Sequence, residues 1–445
     1  MSDAATILDL LEAVADKSAI ALSAPERADL SHQELIELCD RTVKALNGFG
    51  IGRNDRVAIV LPNGAEMAAA FVAISCGATT APLNPGYRED EFKFYLEDLQ
   101  SKALVVEAGS DSPAVAAARA LDVPIIELNV GEGWSAGAFD LSAPDLNSPS
   151  DNGGYAHTGD IGLILHTSGT TSRPKIVPLS QANLVASARN IRQTLSLVPS
   201  DRSLNIMPLF HIHGLIAAVL SSLAAGASIY CTPGFNALKA FAWLADAKPT
   251  WYTAVPTMHQ AILARASRNE DIVAQTNLRF VRSSSSSLPP QVMAELEDVF
   301  NCPVVEAYGM TEATHQMACN PLPPAPRKAG TVGVAAGPEV AIMDLNGNLL
   351  SAGETGEIVI RGDNITAGYE NNEQANAEAF THGWFRTGDQ GVLDDDGYLA
   401  ITGRLKEIIN RGGEKILPRE VDDVLMNHAA IQQVVTFALP HDKLG

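Results

Sequence analysis

The chain alternates helical segments with short apolar runs, and this alternation limits its possible folds more than any other feature. Before residue 160 the helical patterns are at 6–15, 31–49 and 65–76, and the apolar runs are at 57–61, 103–106 and 125–128. After a polar passage the apolar runs resume at 227–231, 251–254 and 278–283. Because parallel strands need crossover connections, usually helices, the pattern predicts an α/β fold with two doubly wound βαβ layers.

The sequence pattern changes after the proline-rich stretch at 321–324. Short apolar runs with tight turns then follow, at 340–345, 356–361 and 398–402, and this pattern predicts a small β-rich subdomain. We therefore predict a large N-terminal domain over 1–403. It would contain βαβ subdomains at about 1–160 and 161–325 and the β-rich subdomain at 326–403.

Composition narrows the class of protein. The chain has 445 residues, of which 46% are hydrophobic, which is enough for two or three cores. It has no apolar run long enough to span a membrane and no secretory signal pattern, so we expect a soluble, cytoplasmic protein. Its five cysteines lack C-x-x-C spacing, which argues against a zinc site. A formal net charge of -21 argues against binding of nucleic acid or anionic membranes, so an anionic ligand must meet local cations.

A hydroxyl-rich loop follows the apolar run at 161–166 and precedes a helical pattern that starts at Gln181. Its sequence is Thr167-Ser168-Gly169-Thr170-Thr171-Ser172-Arg173-Pro174-Lys175. Glycine lets backbone N–H groups approach a ligand, the hydroxyls can donate hydrogen bonds, and Lys175 adds a mobile positive charge. The P-loop pattern G-x-x-x-x-G-K-[ST] is absent. The composition predicts a polyphosphate site, with an ordinary Ser/Thr-rich surface loop as the alternative.

Four further motifs follow this loop, and the five together carry a family resemblance. They are Met207-Pro208-Leu209-Phe210-His211-Ile212-His213-Gly214, Glu306-Ala307-Tyr308-Gly309-Met310-Thr311-Glu312, Trp384-Phe385-Arg386-Thr387-Gly388-Asp389 and Gly403-Arg404-Leu405-Lys406-Glu407. The chain resembles the adenylate-forming superfamily of acyl-CoA synthetases, luciferases and peptide-synthetase adenylation domains. The resemblance implies a ligase that forms a carbon–sulfur bond in two steps. A carboxylic acid and ATP give an acyl-adenylate and pyrophosphate, and CoA then displaces AMP.

The resemblance also implies roles for residues around the phosphates of ATP. The equivalents of Thr167, Ser168, Gly169, Thr170, Thr171 and Lys175 hold the β- and γ-phosphates, where preorganised donors stabilise the departing pyrophosphate. Glu312 would bind Mg²⁺ between itself and the phosphates, and Thr311 would donate to the α-phosphate. Lys175, Thr311, Glu312 and His211 form the predicted catalytic set.

The rest of the nucleotide is assigned to two other motifs. Tyr308 offers a flat face on which adenine can stack, and Glu306 and Ala307 are assigned to the same site. Asp389 offers two acceptors for the two ribose hydroxyls, and Arg404 would support the sugar or the phosphate.

The end of the chain corresponds to the region of family members that changes position between the two reaction steps. Lys406 falls at the hinge between the large and small domains, which absorbs backbone rotation. Gly412 and Gly413 lie in the loop that enters the site in the second step and lines the CoA tunnel. Residues 404–445 would begin a small α+β C-terminal domain that is incomplete here. Family members continue past Gly445 to a catalytic lysine, so we expect impaired adenylation in this form.

The segment 282–287, which forms one wall of the acid pocket in the family, is Arg-Ser-Ser-Ser-Ser-Ser in this chain. With His211 and His315 on neighbouring walls, this polar wall could satisfy a second carboxylate, which an apolar tunnel would leave desolvated. The segments at 282–288, 306–317 and 410–416 look most like the oxalyl-CoA synthetase branch. Oxalate is therefore the predicted acid. Malonate, 4-coumarate or another short or aromatic acid, and a non-catalytic module that binds ATP or AMP, are the alternatives.

Individual serines can be assigned from strand geometry. Alternate side chains of an extended segment face opposite sides, so only one alternation can meet the acid. We assign Ser285 and Ser287 to the acid and Ser286 to the neighbourhood of adenine. His315 joins them as an acid contact because it lies three residues past Glu312, although a purely structural histidine is the alternative.

Overall fold

A computed structural model describes residues 4–167, 173–411, 414–426, 428, 431 and 434–439. The helices in this part, α1 to α13 in chain order, are Ile7–Glu12, His32–Gly48, Ala65–Ser75, Glu89–Asp98, Pro113–Ala120, Gln181–Thr194, Ser221–Ala224, Ala240–Ala247, Pro256–Ala266, Glu270–Val273, Pro290–Phe300, Glu373–Ala379 and Pro418–Met426. A π-helical segment, His213–Leu220, runs directly into α7. Short 3₁₀ turns cover Thr311–Ala313 and Leu405–Glu407.

The strands β1 to β23 are Ile20–Ser23, Leu30–Ser31, Arg56–Val60, Thr79–Pro82, Ala103–Glu107, Ile125–Asn129, Asp140–Ser142, Ile161–Thr167, Lys175–Ser180, Arg202–Asn205, Ser228–Cys231, Trp251–Ala254, Phe280–Ser284, Val304–Met310, His315–Cys319, Val334–Ala335, Glu339–Met343, Gly356–Arg361, Phe380–Thr381, Trp384–Leu393, Leu399–Arg404, Ile409–Arg411 and Glu414–Ile416. Each apolar run predicted above coincides with a strand or differs from one by a few residues at its ends. The alternation of helices and strands therefore predicted the elements of the fold correctly.

Two large sheets, each parallel in its centre, form the body of the protein. The first sheet has seven strands in the order β7-β6-β5-β3-β4-β8-β9, and the second has nine in the order β16-β15-β14-β13-β12-β10-β11-β1-β2. Antiparallel strands occur only toward the edges of both sheets within the described residues. This arrangement confirms the predicted α/β class with two doubly wound layers.

Strand membership does not follow chain order, which differs from the sequence interpretation of one layer before residue 160 and one after it. Strands β1 and β2, near the N-terminus, complete the edge of the second sheet, where β1 pairs in parallel with β11. Strands β8 and β9, which follow residue 160, pair in the first sheet. Local periodicity identifies a strand but not its partner, because pairing is decided by packing of distant elements.

Helix α3 joins the two sheets. All its residues except Glu66 are buried, and it contacts β4 of the first sheet and β11 of the second. A helix that is apolar around its circumference is stable only when both sides are covered, which explains the run of alanine, valine and phenylalanine in this segment. The largest core cluster accordingly extends from Phe71 in α3 to Ile216 in the π-helical segment.

A smaller antiparallel sheet covers one end of this body. Its strands have the order β17-β18-β20-β19, and β21 also pairs with β20. This third sheet corresponds to the predicted β-rich subdomain. Strands β22 and β23 form a separate hairpin after it, followed by α13. The division into an N-terminal domain over 1–403 and a C-terminal domain from 404 stays a prediction.

One buried glutamine ties together three separate parts of the fold. Gln181, the first residue of α6, is fully buried. Its Oε1 accepts a hydrogen bond from the N–H of Ile7 at 3.0 Å, and its Nε2 donates to the carbonyl of Ser75 at 2.6 Å. The side chain thereby satisfies backbone groups of α1 and α3 that have no access to water.

We expect Gln181→Ala to destabilise the protein by about 2–4 kcal/mol, because two buried backbone groups would lose their partner. Urea unfolding at 25 °C would measure the change in the free energy of unfolding. Gln193→Ala is the matched control, since Gln193 lies in the same helix and is exposed. Equal losses for the two variants would contradict the role of the Gln181 side chain.

Candidate active site

A cavity of about 770 Å³ lies where the carboxyl ends of strands in both large sheets face the third sheet. In open α/β sheets ligands bind outside the carboxyl ends of the strands. The cavity brings together ten of the residues predicted from sequence: Thr167, Lys175, His211, Ser285, Thr311, Glu312, His315, Asp389, Arg404 and Lys406. Residues separated by more than two hundred positions therefore share one site.

Other predicted residues lie outside the lining or outside the described part of the chain. Ser168, Gly169, Thr170, Thr171, Gly412 and Gly413 belong to the second group. Among the described residues, Ser286, Ser287, Glu306, Ala307 and Tyr308 do not line the cavity. The buried carboxylate of Glu306 accepts a hydrogen bond from the N–H of Leu288 at 3.0 Å, so it holds the end of the serine segment. The Ala307 carbonyl accepts from the hydroxyl of Ser284.

The serine segment is not extended along its whole length, so the alternation used to assign its side chains is wrong beyond residue 284. Strand β13 ends at Ser284, and Ser285 has a φ of 71°. A left-handed conformation is uncommon for serine and turns the chain out of the strand. Ser285 reaches the cavity for this reason, and the assignments of Ser286 and Ser287 lose their geometric basis.

One end of the cavity contains a buried carboxylate, Glu312. Its Oε1 accepts a hydrogen bond from the hydroxyl of Tyr369 at 2.7 Å, and Lys175 Nζ lies 4.2 Å from the centre of the Tyr369 ring. Burial raises the pKa of Glu312, while the Tyr369 hydrogen bond and Lys175 oppose that rise. A buried carboxylate with few donors is suited to a cation.

Glu312 fits the Mg²⁺ predicted from sequence. The described residues contain no group of three or more His, Cys, Asp or Glu side chains that could hold a metal. Mg²⁺ does not need such a cage in nucleotide enzymes, because it keeps several waters and is bound by one or two carboxylates together with substrate phosphates. When bound there, Mg²⁺ would neutralise negative charge on the phosphates.

A second carboxylate, Asp389, lies on β20 at the same end of the cavity. The hydroxyl of Tyr308 donates a hydrogen bond to Oδ2 of Asp389, and Arg404 Nε lies 3.2 Å from Oδ1. Burial raises the pKa of Asp389, and the hydrogen bond from Tyr308 and the charge of Arg404 counteract this effect. Tyr308 therefore orients an acceptor beside the cavity, although its own ring does not line it.

The other end of the cavity, in the part of the chain that the structure describes, is formed by histidine and serine side chains that can form hydrogen bonds. His211 faces the cavity, and burial lowers its pKa. The rings of His213 and His315 meet edge to face, with centroids 4.9 Å apart, and burial holds the pKa of both well below the usual range. Ser285 Oγ lies 3.0 Å from His213 Nδ1. Of these groups His211, Ser285 and His315 line the cavity, where they can donate to an anion.

Glycine is required beside this histidine pair. A Cβ on Gly309 would clash with the carbonyl oxygen of His315. The β14–β15 pairing shifts register between Tyr308 and Gly309, and the return strand then places His315 opposite Met310. The close approach of the two strands explains the glycine in the Tyr-Gly-Met-Thr-Glu motif.

The sequence interpretation gave no individual role to several side chains that support the site, although Arg282 lay in the predicted wall segment 282–287. Arg282 is fully buried behind the histidines, Tyr369 holds Glu312, and Asp98 contacts His166 at 3.0 Å and Arg173 at 2.5 Å on the two sides of the phosphate loop. Only Arg282 carried a signal that could have identified it, because a charged residue inside an apolar strand pattern needs a specific reason. Tyr369 and Asp98 are brought to the site by tertiary packing alone.

Comparison with known proteins identifies the family. The model of the family described as AMP-binding enzyme matches residues 11–370. The chain belongs to the AMP-binding enzyme family. Oxalate–CoA ligase from Arabidopsis thaliana is 45% identical, covering 100% of this chain and 87% of that protein, and oxalate–CoA ligase from Saccharomyces cerevisiae is 43% identical, covering 88% and 76%. The crystal structure of ATP-bound MatB from Rhodopseudomonas palustris superposes with a TM-score of 0.87 at 26% identity, covering 99% and 87%.

Membership in the AMP-binding enzyme family confirms the predicted type of reaction. The protein is an AMP-forming acid–CoA ligase that uses ATP, Mg²⁺ and CoA and forms an acyl-adenylate. Its substrates are small molecules. No helix in the described part of the chain is long and apolar enough to cross a membrane. The roles of individual residues stay predictions. Two tests of these roles concern the end of the cavity that contains Glu312 and Asp389, which we call the nucleotide end.

We expect Asp389→Asn to weaken ATP binding about tenfold or more, because a hydrogen bond to a charged acceptor contributes about 1.5–3 kcal/mol. Isothermal titration calorimetry with Mg·ATP would measure the dissociation constant. Asp395→Asn is the control, since Asp395 is exposed in the turn that follows β20. An unchanged dissociation constant in Asp389→Asn would exclude Asp389 from the nucleotide site.

The raised pKa of Asp389 predicts a pH dependence. The ionised carboxylate accepts hydrogen bonds on both oxygens, whereas protonation turns one oxygen into a donor and removes the charge, so binding should weaken as pH falls through this pKa. Tyr308→Phe removes a hydrogen bond that lowers the pKa and should move the midpoint of this loss to higher pH. Adenosine, which lacks phosphates that titrate, is the probe, with affinities measured from about pH 8 to about pH 4. A midpoint that stays or moves to lower pH in Tyr308→Phe would contradict the assignment.

Proposed function

We propose that this protein is an oxalate–CoA ligase. The observation that carries the proposal is the polar end of the cavity, which is lined by His211, Ser285 and His315. This end lies in the same cavity as Lys175 and Glu312, so an acid bound there would face the triphosphate of ATP. The two oxalate–CoA ligases described above, at 45% and 43% identity, support the same choice of acid.

The chemistry of the pocket favours a small acid with two carboxylates. One carboxylate reacts with ATP, and the other must remain ionised inside the protein. An ionised group without hydrogen-bond partners is strongly disfavoured in a low-dielectric site, so an apolar tunnel would reject it. A serine hydroxyl and two imidazoles offer the donors that a second carboxylate needs.

The proposed reaction has two steps. An oxygen of one oxalate carboxylate attacks the α-phosphorus of ATP, the bond to the β-phosphate oxygen breaks, and pyrophosphate leaves. The thiol of CoA then attacks the carbonyl carbon of the adenylate, loses its proton, and displaces AMP. Lys175 and Thr311 would hold phosphate oxygens while negative charge builds on the departing pyrophosphate. Ser285 and the histidines would hold the second carboxylate in place through both steps.

We place this reaction in the cytoplasm. The cysteines Cys39, Cys76, Cys231, Cys302 and Cys319 are all free and buried. Burial raises the pKa of the Cys231 thiol, which suits a protonated thiol with a packing role. Free thiols of this kind are typical of proteins in reducing compartments. Fractionation of cells that express the full-length protein with a fluorescent tag would test this placement.

The substrate proposal predicts a clear order among acids. The full-length protein should release pyrophosphate and form acyl-CoA with oxalate, with kcat/KM at least about tenfold above the values for malonate, acetate and 4-coumarate. Acyl-CoA formation would be followed by mass spectrometry, because the thioester identifies the acid directly. Activity confined to an aromatic or monocarboxylic acid would overturn the proposal. ATP binding without turnover of any acid would instead favour a non-catalytic nucleotide-binding module.

The acid pocket can be tested separately from the nucleotide site. His315→Ala should raise KM for oxalate about tenfold or more and change the dissociation constant of ATP much less. The reason is that His315 lines the polar end of the cavity, where we place the acid and which we call the acid end. His382→Ala is a matched control, since His382 is exposed and also has a positive φ, 52° compared with 95° for His315. Similar losses of affinity for oxalate and ATP in His315→Ala would show that this histidine is structural.

A further inference from the structure

Arg282 is a fully buried cation in the second sheet. Among the described residues it forms no ion pair with a carboxylate: its Nη1 donates to Thr253 Oγ1 at 3.3 Å and its Nη2 to Gln316 Oε1 at 3.2 Å. Its buried Nε has no hydrogen-bond partner in the same part of the chain. Buried charges are normally paired, so an arginine held only by neutral groups requires an explanation.

Hydrogen bonds lead from this arginine to the cavity. Thr253 Oγ1 lies 2.6 Å from His213 Nε2, and His213 Nδ1 lies 3.0 Å from Ser285 Oγ. Ser285 lines the cavity, whereas Arg282, Thr253 and His213 lie behind it. Three polar side chains, Thr253, His213 and Ser285, thus connect the buried guanidinium to the surface that would meet the acid.

Along this path each hydrogen bond is donated in the same direction, from Arg282 toward Ser285. A guanidinium can only donate, so Thr253 Oγ1 accepts from Arg282. The cationic guanidinium beside His213 Nε2 disfavours a proton on that nitrogen, so the Thr253 hydroxyl donates its single proton to His213 Nε2. Arg282 Nη1, 3.5 Å from the same nitrogen, also favours an acceptor there. Burial and the charge of Arg282 keep His213 neutral, so its proton is on Nδ1 and is donated to Ser285 Oγ.

The consequence for Ser285 follows from its single hydroxyl proton. Because Ser285 Oγ accepts from His213, its own proton remains available to a ligand in the cavity. The left-handed φ of 71° at Ser285 keeps the residue at this position despite the backbone strain. A serine fixed in this way donates to an anion and cannot turn its proton toward the histidine.

We propose that Arg282, Thr253 and His213 form a relay that fixes the Ser285 hydroxyl as a donor to the second carboxylate of a small dicarboxylic acid. Arg282 is a positioning residue in this arrangement, and its charge also makes the acid end of the cavity attractive to a dianion. The inference rests on the proposed function, because it assigns this relay to the acid site. It differs from a buried polar network that only stabilises the sheet.

Thr253→Val tests the relay, because valine keeps the shape of threonine and removes the hydroxyl. We expect KM for oxalate to rise about tenfold and the dissociation constant of ATP to change less than about twofold. Thr253→Ser restores the hydroxyl and should recover most of the affinity for oxalate. Thr80→Val is the control for lost stability, since Thr80 is buried in β4 and donates to the Gly162 carbonyl at 2.8 Å, outside the cavity lining.

A double-mutant cycle separates the relay from a structural role. If Thr253 acts through Ser285, Thr253→Val should add little to the rise in KM for oxalate already caused by Ser285→Ala. Additive losses would overturn the relay. Equal losses of affinity for oxalate and ATP, accompanied by a lowered Tm like the one expected for Thr80→Val, would also overturn it. The acid panel on the unaltered protein tests the proposed function first. If another acid proves to be the substrate, the same cycle with that acid shows whether the relay holds.

Discussion

The parallel pairing of β13 with β14 is the constraint on which the site depends. Its register sets Ser283 opposite Glu306 and Ser284 opposite Ala307. Parallel strands end at the same edge of a sheet, so the serine segment and the Tyr308–Glu312 motif leave the sheet side by side. Both faces of β13 are buried, so a shift of one residue against β14 would move Arg282 to the other buried face and change where the two segments leave the sheet.

Strand β15 runs antiparallel to β14 and starts at the edge of the sheet where β14 ends. The turn at Thr311–Ala313 holds Glu312 in the cavity lining, and His315 comes back against Gly309. Under the proposed function, two residues that are three positions apart would face different parts of the substrates. The short distance between them along the chain fits a reaction in which the acid and the phosphates of ATP must meet.

Much of this arrangement follows from the sequence, and the exceptions have physical causes. The alternation of helices and strands predicted the layers because local periodicity reports burial. The exchange of β1 and β8 between sheets was not predicted, since pairing depends on distant packing. Ser285 was assigned to the acid by an argument that fails, because strand alternation stops at Ser284 and a left-handed residue takes over. Tyr369 and Asp98 have no local pattern that links them to a site.

The two ends of the cavity differ in charge, with carboxylates at one end and a buried arginine behind the other. Glu312 and Asp389 would make the predicted nucleotide end attractive to cations and hydroxyl donors, whereas Arg282 lies behind the end proposed for the acid. With a formal net charge of -21, the protein repels dianions at long range, so only local groups can orient them. Under the proposed function both carboxylates of the acid enter ionised, and the donors backed by Arg282 can hold one of them while the other faces ATP. The arrangement of charges within one cavity would therefore let only one carboxylate react.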